Sequence, residues 1–309
     1  MIAATPPTAI YAKLVLGALF WGGAYVASRI ATGEMTAIAA ALWRYVVAAI
    51  ALVGISFALD RGLPRLSGRQ WVGVALLGAT GVAIFNLCFM FGLERVTASR
   101  ASLIMALNPA VTLLGAAWLL REPLTRRNAV GIAVALLGVL VVLSHGRPLT
   151  LLNGDIGIGD VVLLGCPVSW ALYTLLGKTM LKGLSPIAAT TYAALTGTAM
   201  LGTVAAVTGD LGVPTVSWRA WGAIAFVGFF STAVAFVWFY EAVRSIGPAR
   251  TSVFINLVPV SAITLGVLIL GERVDVSIVA GGALIVFGVW LLNRPGAPLT
   301  ARVMARRSG

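Results

Sequence analysis

The reactive side chains of this 309-residue sequence are few and scattered. Its single histidine, His145, falls between two apolar runs, and its two cysteines, Cys88 and Cys166, each lie inside one. Metal sites need clustered ligands. Nucleophilic catalysis needs a nucleophile, a base and an orienting group within reach of one point, and a phosphate-binding loop needs its glycine-lysine signature. The sequence carries none of these sets, so no catalytic residue, no metal site and no cofactor is expected. What it offers is binding chemistry. Trp21 and Tyr25 stand in one apolar run, Trp170 and Tyr173 in another, and Phe236, Trp238 and Tyr240 in a third. Asn86, Asn108 and Asn256 lie inside further runs. A few polar groups in an apolar, aromatic wall are the usual make-up of a small-molecule pocket. Substrate contact is therefore expected at Trp21, Tyr25, Asn86, Asn108, Trp170, Tyr173, Trp238 and Asn256. For Trp21 and Trp170 the alternative is packing in the core; for the asparagines it is hydrogen bonding between helices.

Pro109 and Pro259 stand near the middle of two apolar runs. Each removes an N–H and clashes with the carbonyl four residues back, that of Met105 or Ile255. Such a carbonyl in lipid needs another partner, so the pair marks either packing kinks or hinges beside a cavity. Arg44 is the one charge well inside a run. It either snorkels to the surface or partners a substrate carboxylate. Glu241 is close to a run end and is either solvated or part of a gate. Glu122 and Glu272 read as structural helix-end or loop residues.

The elements holding these residues follow from composition. The chain is 60% hydrophobic and 10% charged, against about 25% charged in a soluble domain, and its mean hydropathy is +0.99. Ten runs near the length of a membrane helix are read at 11–32, 36–58, 70–92, 98–120, 128–144, 158–180, 187–208, 218–242, 249–270 and 276–293. The net charge of +12 resides in short connections, as the positive-inside rule requires, so nucleic acid is not an expected partner and membrane lipid is. The first residues lack the basic start and short apolar core of a cleaved signal peptide, so the first span is expected to stay.

The sequence also repeats. Ser99 to Ser144 lies on Ala249 to Arg294 without a gap: Arg100 meets Arg250, Pro109 meets Pro259, Glu122 meets Glu272, Gly131 meets Gly281 and Gly138 meets Gly288. The register reaches back to Trp71/Trp221 and Gly78/Gly228, and with one residue of slip to Trp21/Trp170 and Arg29/Lys178. Such self-similarity is the mark of a duplicated unit, dividing the chain into residues 1–147 and residues 148–309 with a short basic tail. Fifteen Lys and Arg fall on the N-terminal side and six on the other, so both termini are expected in the cytoplasm. Five spans per copy force the second copy to enter from the opposite face, and inverted repeats are characteristic of secondary transporters with a midplane site. The paired glycines, two turns apart on one face, predict close helix contact at spans 5 and 10, within the chain or between two chains; monomer and homodimer both stay open.

The first span, LFWGGAYVASR, and the repeated SRASLIMALNPAVTLLGAAWLLREPL and ARTSVFINLVPVSAITLGVLILGER resemble the drug/metabolite transporter superfamily of the EamA-repeat type over nearly the whole chain. Within it the sequence is similar to bacterial aromatic amino-acid exporters. The resemblance implies an all-α integral membrane basket of ten transmembrane helices, with spans 1, 3, 4, 6, 8 and 9 around a central cavity and spans 5 and 10 to one side. It implies an inner-membrane exporter of a small-molecule substrate, an aromatic amino acid or similar metabolite. Export of other metabolites or drugs is the alternative, and a non-transporting membrane enzyme or sensor the alternative of another class. Small multidrug relatives carry a glutamate in the first helix for proton exchange; span 1 has none.

Overall fold

The computed structural model describes residues 7–60, 62–147, 156–180, 183–211 and 216–293. The basic tail and the middle of the connection between the halves lie outside them. The described helices are α1 (Pro7–Thr32), α2 (Ala37–Leu59), α3 (Gly68–Leu93), α4 (Ala98–Leu119), α5 (Arg126–Leu143), α6 (Ile158–Met180), α7 (Pro186–Thr208), α8 (Trp218–Ile246), α9 (Arg250–Leu270) and α10 (Val276–Asn293). They match the ten expected spans, with α8 running one turn further than its apolar stretch. Many start at a hydroxyl. The side chains of Thr36, Ser67, Thr97, Thr125, Ser185 and Ser217 each accept a hydrogen bond from the amide three residues on, which satisfies a donor the helix cannot and contributes about 1 kcal/mol each.

The contacts repeat with the sequence. α1 packs on α9 as α6 packs on α4; α1 packs on α8 as α6 packs on α3; α3 packs on α7 as α8 packs on α2. Two pairs are their own counterparts, α2 with α7 and α5 with α10. In both, equivalent helices run antiparallel. A Cβ on Gly131 would meet Gly288 O at 2.9 Å, and one on Gly138 would meet Gly281 O at 2.6 Å. Along the other pair Ser56 Oγ and Thr191 Oγ1 are 2.8 Å apart, and Thr198 Oγ1 donates to Tyr45 O at 3.3 Å. Equivalent helices meeting head to tail make the two halves inverted copies. The glycine seam is internal to the chain, where backbones approach closely enough for dispersion to act over their length.

Two pairs of spans depart from regular helix at matched places. α4 breaks after Met105 and resumes at Asn108; α9 passes through a 3₁₀ turn at Phe254–Asn256 and resumes at Leu257. Pro109 and Pro259 stand in the first turn of each resumed half, where a missing N–H costs least. α3 and α8 each widen into π-helical turns, at Gly78–Ile84 and Phe226–Val234. The two segments overlap after a shift of 150 and end at matched residues; Gly78 opens the first, and its counterpart Gly228 is the third residue of the second. A Cβ on Gly78 would fall 2.7 Å from Gly197 N, and one on Gly228 would fall 2.6 Å from Arg44 O. Only glycine lets those helices touch. A last match is conformational: Arg121 adopts φ 54° where its counterpart Gly271 adopts φ 66°, so the turn survives in the first copy at the cost of a left-handed arginine.

Candidate functional site

π-Helical turns are commonest where function needs a re-aimed backbone, because each leaves a carbonyl outside the regular ladder. Here both segments offer a carbonyl to the helix beside them. Trp21 Nε1 on α1 donates to Ser231 O of α8 at 3.0 Å, and Ser169 Oγ on α6 donates to Thr80 O of α3 at 2.5 Å. These bonds fix α1 and α6 against the two wide turns, and the bond on α1 also sets the direction of the Trp21 ring.

Those side chains form one connected wall. Trp21 lies 5.6 Å from Phe236 and 5.5 Å from Phe239, centroid to centroid. Phe236 continues to Trp170 at 6.2 Å, and Trp170 to Tyr173 at 5.2 Å and Phe85 at 5.6 Å. Phe85 stacks on Phe89 at 5.9 Å, which meets Tyr25 edge-on at 5.2 Å. Trp21 and Trp170 therefore meet through Phe236 and not ring to ring. Offset and edge-to-face contacts add about 0.5–1.5 kcal/mol per pair. The wall borders a cavity of about 20 Å³ bounded by Tyr45, Gly81, Trp170, Tyr173, Thr232 and Phe236, with room for a single water. This cavity is small in the conformation described.

Four of the expected residues, Trp21, Tyr25, Trp170 and Tyr173, come together in this wall. Trp238 does not: it stacks on Phe20 at 5.8 Å, beside the exposed Phe230, because it projects from the face of α8 opposite Phe236. Asn86 is fully buried next to Phe85; its Nδ2 donates to Val82 O at 2.7 Å and its Oδ1 has no partner. Asn108 stands at the α4 break with its Oδ1 likewise buried and unpaired, and Asn256 at the α9 break. Arg44 does not snorkel: it is 8% exposed. Glu241 is paired, Lys13 Nζ lying 2.7 Å from its Oε2. Residue-type reasoning missed Phe85 and Phe89, although they stand four apart around Asn86, and it missed the π turns, although the Gly78/Gly228 match marked them.

The two ends of the bundle are closed differently. At one end Glu272 accepts from Ala98 N at 2.7 Å, Ser99 N at 3.0 Å and Ser99 Oγ at 2.6 Å, with Arg29 Nε at 3.9 Å. Arg29 also donates to Val96 O. Beside it, Arg100 forms a buried ion pair with Asp160 (Nε–Oδ1 2.8 Å, Nη2–Oδ2 3.0 Å) and contacts His145 Nε2 at 2.5 Å. Glu34 accepts from Ser217 at the start of α8, and those bonds hold its carboxyl below the usual range. Asp275 is held low mainly by the Ser277 hydroxyl. At the other end Lys178 Nζ meets Glu122 Oε1 at 2.8 Å, and both are largely exposed; Arg250, the counterpart of Arg100, is exposed as well.

Comparison with known proteins agrees with this architecture. The EamA-like transporter family matches residues 8–144 and again 157–294, one match per inverted copy. The chain belongs to that family: it is a multi-pass membrane transporter. It is 31% identical over 282 residues to the uncharacterized transporter YyaM of Bacillus subtilis, covering 91% of this chain and 92% of that one. It is 30% identical to a probable terminal-alkyne amino-acid exporter of Streptantibioticus cattleyicolor, covering 91% and 92%. A crystal structure of a protein only 17% identical shares the fold, with a TM-score of 0.64 over 92% of this chain and 97% of the other.

Proposed function

We propose that this transporter exports small amphipathic metabolites, aromatic amino acids foremost, across the inner membrane by alternating access. The observation that carries this reading is the continuous aromatic wall from Tyr25 through Trp170 to Trp21, set against broken and π-widened helices. Aromatic walls take flat apolar bodies, and broken helices are where transporters place substrates and bend. The relative named as a probable terminal-alkyne amino-acid exporter in S. cattleyicolor supports amino acids as the substrate class. The proposed site is Trp21, Tyr25, Trp170 and Tyr173, with Asn86, Asn108 and Asn256 as polar partners and Pro109 and Pro259 as hinges. The excess of basic residues on the N-terminal side supports cytoplasmic termini, which makes the Glu272 end the outer one and this conformation closed to the outside. We place the boundary between the two five-helix repeats at residues 147 and 148.

The test is counterflow of a labelled amino-acid panel into proteoliposomes, with and without a pH gradient. Faster exchange of Trp, Phe and Tyr than of aliphatic amino acids is expected. No exchange of any amino acid, with movement of other metabolites, would replace the proposal. Orientation is read separately, in a background without Cys88 and Cys166: cysteines placed at Arg65 and Leu211 are expected to react with an impermeant reagent from opposite sides.

A further inference from the structure

We propose that Arg44 is the anion anchor of the transported molecule, so that the substrate class is defined by a carboxylate and not by an amine. This rests on the reading that the central chamber carries substrate. Arg44 projects from α2 and is more than nine-tenths buried. Its Nη2 has one partner, Thr232 Oγ1 on the π-widened part of α8, at 3.3 Å. Its Nε and Nη1 are buried and bonded to nothing. The guanidinium lies 5.5 Å from the Tyr45 ring and 5.6 Å from the Phe89 ring. Tyr45 and Thr232 bound the chamber, and Phe89 belongs to the aromatic wall.

An arginine cannot shed its proton to lower the cost of burial, and a buried charge without a counter-ion is strongly unfavourable. The two ring faces offset part of that cost. No acidic side chain among the described residues offsets the rest. Glu94, Glu122, Asp160, Glu241 and Glu272 are engaged at the span ends, with Arg95, Lys178, Arg100, Lys13 and Arg29. A carboxylate binds a guanidinium through two parallel hydrogen bonds, from Nε and Nη2 or from Nη1 and Nη2; Nη2 carries two N–H groups and gives only one to Thr232, so one such fork is open. A carboxylate in the opened chamber would supply the missing charge and acceptors together, with its apolar body on Phe89 and Phe85. Nothing equivalent awaits an ammonium: the chamber's boundary has no carboxylate.

The experiment is calorimetric titration of the full-length protein in lipid nanodiscs with two matched sets: phenylalanine, phenylpropionate and phenethylamine; leucine, isocaproate and isoamylamine. The deaminated acids are expected to bind within about threefold of their amino acids, and the amines at least about tenfold more weakly. Arg44→Gln is expected to weaken all four carboxylates by about tenfold or more, with Arg44→Lys keeping the preference for acid over amine but binding less tightly. Amines that bind as tightly as acids to the native protein overturn the assignment, and that comparison needs no variant to fold. So does a folded Arg44→Gln protein that keeps its affinity for acids, chloride that competes as well as phenylpropionate, or no binding by any acid. If the leucine set binds as well as the phenylalanine set and both need the carboxylate, aromatic selection fails while the role of Arg44 is supported.

Discussion

Glu122 and Glu272 stand 150 residues apart at one position of the repeat, and the structure bonds them unequally. Glu272 is 6% exposed at its side chain and takes three hydrogen bonds from the start of α4, while Glu122 is 43% exposed and takes one from Lys178. The sequence explains part of the difference. The counterpart of Ala98, whose amide Glu272 receives, is Pro248, which has no N–H. Hydrogen bonds to a charged group contribute about 1.5–3 kcal/mol; an exposed ion pair contributes about 0–1 kcal/mol. Glu272→Gln is therefore expected to speed amide exchange at residues 98–101 by about tenfold or more, a free-energy change near 1.4 kcal/mol. Glu122→Gln is expected to leave both ends unchanged. Hydrogen exchange followed by mass spectrometry reads both, and equal effects would mean the two ends are equally held.

The paired glycines of the π turns, Gly78 and Gly228, are expected to be irreplaceable for steric reasons. Alanine at Gly78 or Gly228 would drive a methyl against backbone atoms of α7 or α2, and backbone cannot rotate away. A loss of about 1–3 kcal/mol is the usual cost of overpacking. Gly54→Ala and Gly222→Ala, where nothing lies within 4 Å, are the matched controls and are expected to be neutral. Thermal unfolding in detergent separates them; a Gly228→Ala protein as stable as Gly54→Ala would show that α8 can lift off α2.

The carboxylates with depressed pKa values give a pH signature. Glu34 and Asp275 are held ionised below their usual range by serine hydroxyls. A depressed folded-state pKa stabilises above the unfolded value, about 4, and the contribution fades as pH falls through the folded value. The melting difference between the native protein and Ser217→Ala, or Ser277→Ala, is expected to be constant from about pH 7 to 5 and to shrink below about pH 4. A difference that grows on acidification would reverse the assignment.

Much of the fold is legible in the sequence. The spans came from apolar run length, the pseudo-twofold from the 150-residue register, and the inversion from the odd number of spans per copy. The aromatic site was legible only in part. Trp21, Tyr25, Trp170 and Tyr173 stand out as aromatics inside the apolar runs of equivalent spans, which a sequence shows. Trp238 joins them in the sequence as an aromatic of a further apolar run, but its direction around α8 is set by helix rotation, which π turns alter by inserting residues into the ladder. The sequence leaves Arg44 open between surface and interior because a guanidinium eight residues into a helix can reach either. Only packing against α8, through Gly228 and Thr232, decides it.

The prolines are expected to govern rate more than affinity. Both stand where a half-helix resumes, after breaks at matched depth, and a weakened ladder is where bending costs least. Pro109→Ala and Pro259→Ala restore the missing N–H and are expected to lower turnover in counterflow several-fold, with half-saturation unchanged within about twofold. Unchanged turnover in both would leave the breaks as packing features.

Ring deletion tests what the aromatic wall reads. Trp21 and Trp170 both border Phe236, so removing either opens the wall on one side. Trp21 carries a second duty, its Nε1 bond to Ser231 O, whereas no such bond to a π-turn carbonyl ties Trp170, the adjacent Ser169 holding the equivalent position. Trp21→Ala is thus expected to lower stability as well as transport, by about 1 kcal/mol for the lost hydrogen bond beyond the cost of the cavity. Trp170→Ala is expected to act mainly on substrate choice. A lost aromatic pair is worth about 0.5–1.5 kcal/mol, roughly a factor of two to ten, so exchange of Trp and Phe should fall by that factor relative to Leu in Trp170→Ala proteoliposomes. Phenylalanine at position 170 keeps a ring and should recover most of the preference. Equal losses for Leu and Trp in a well-folded Trp170→Ala protein would mean that the wall packs helices and does not select the ligand.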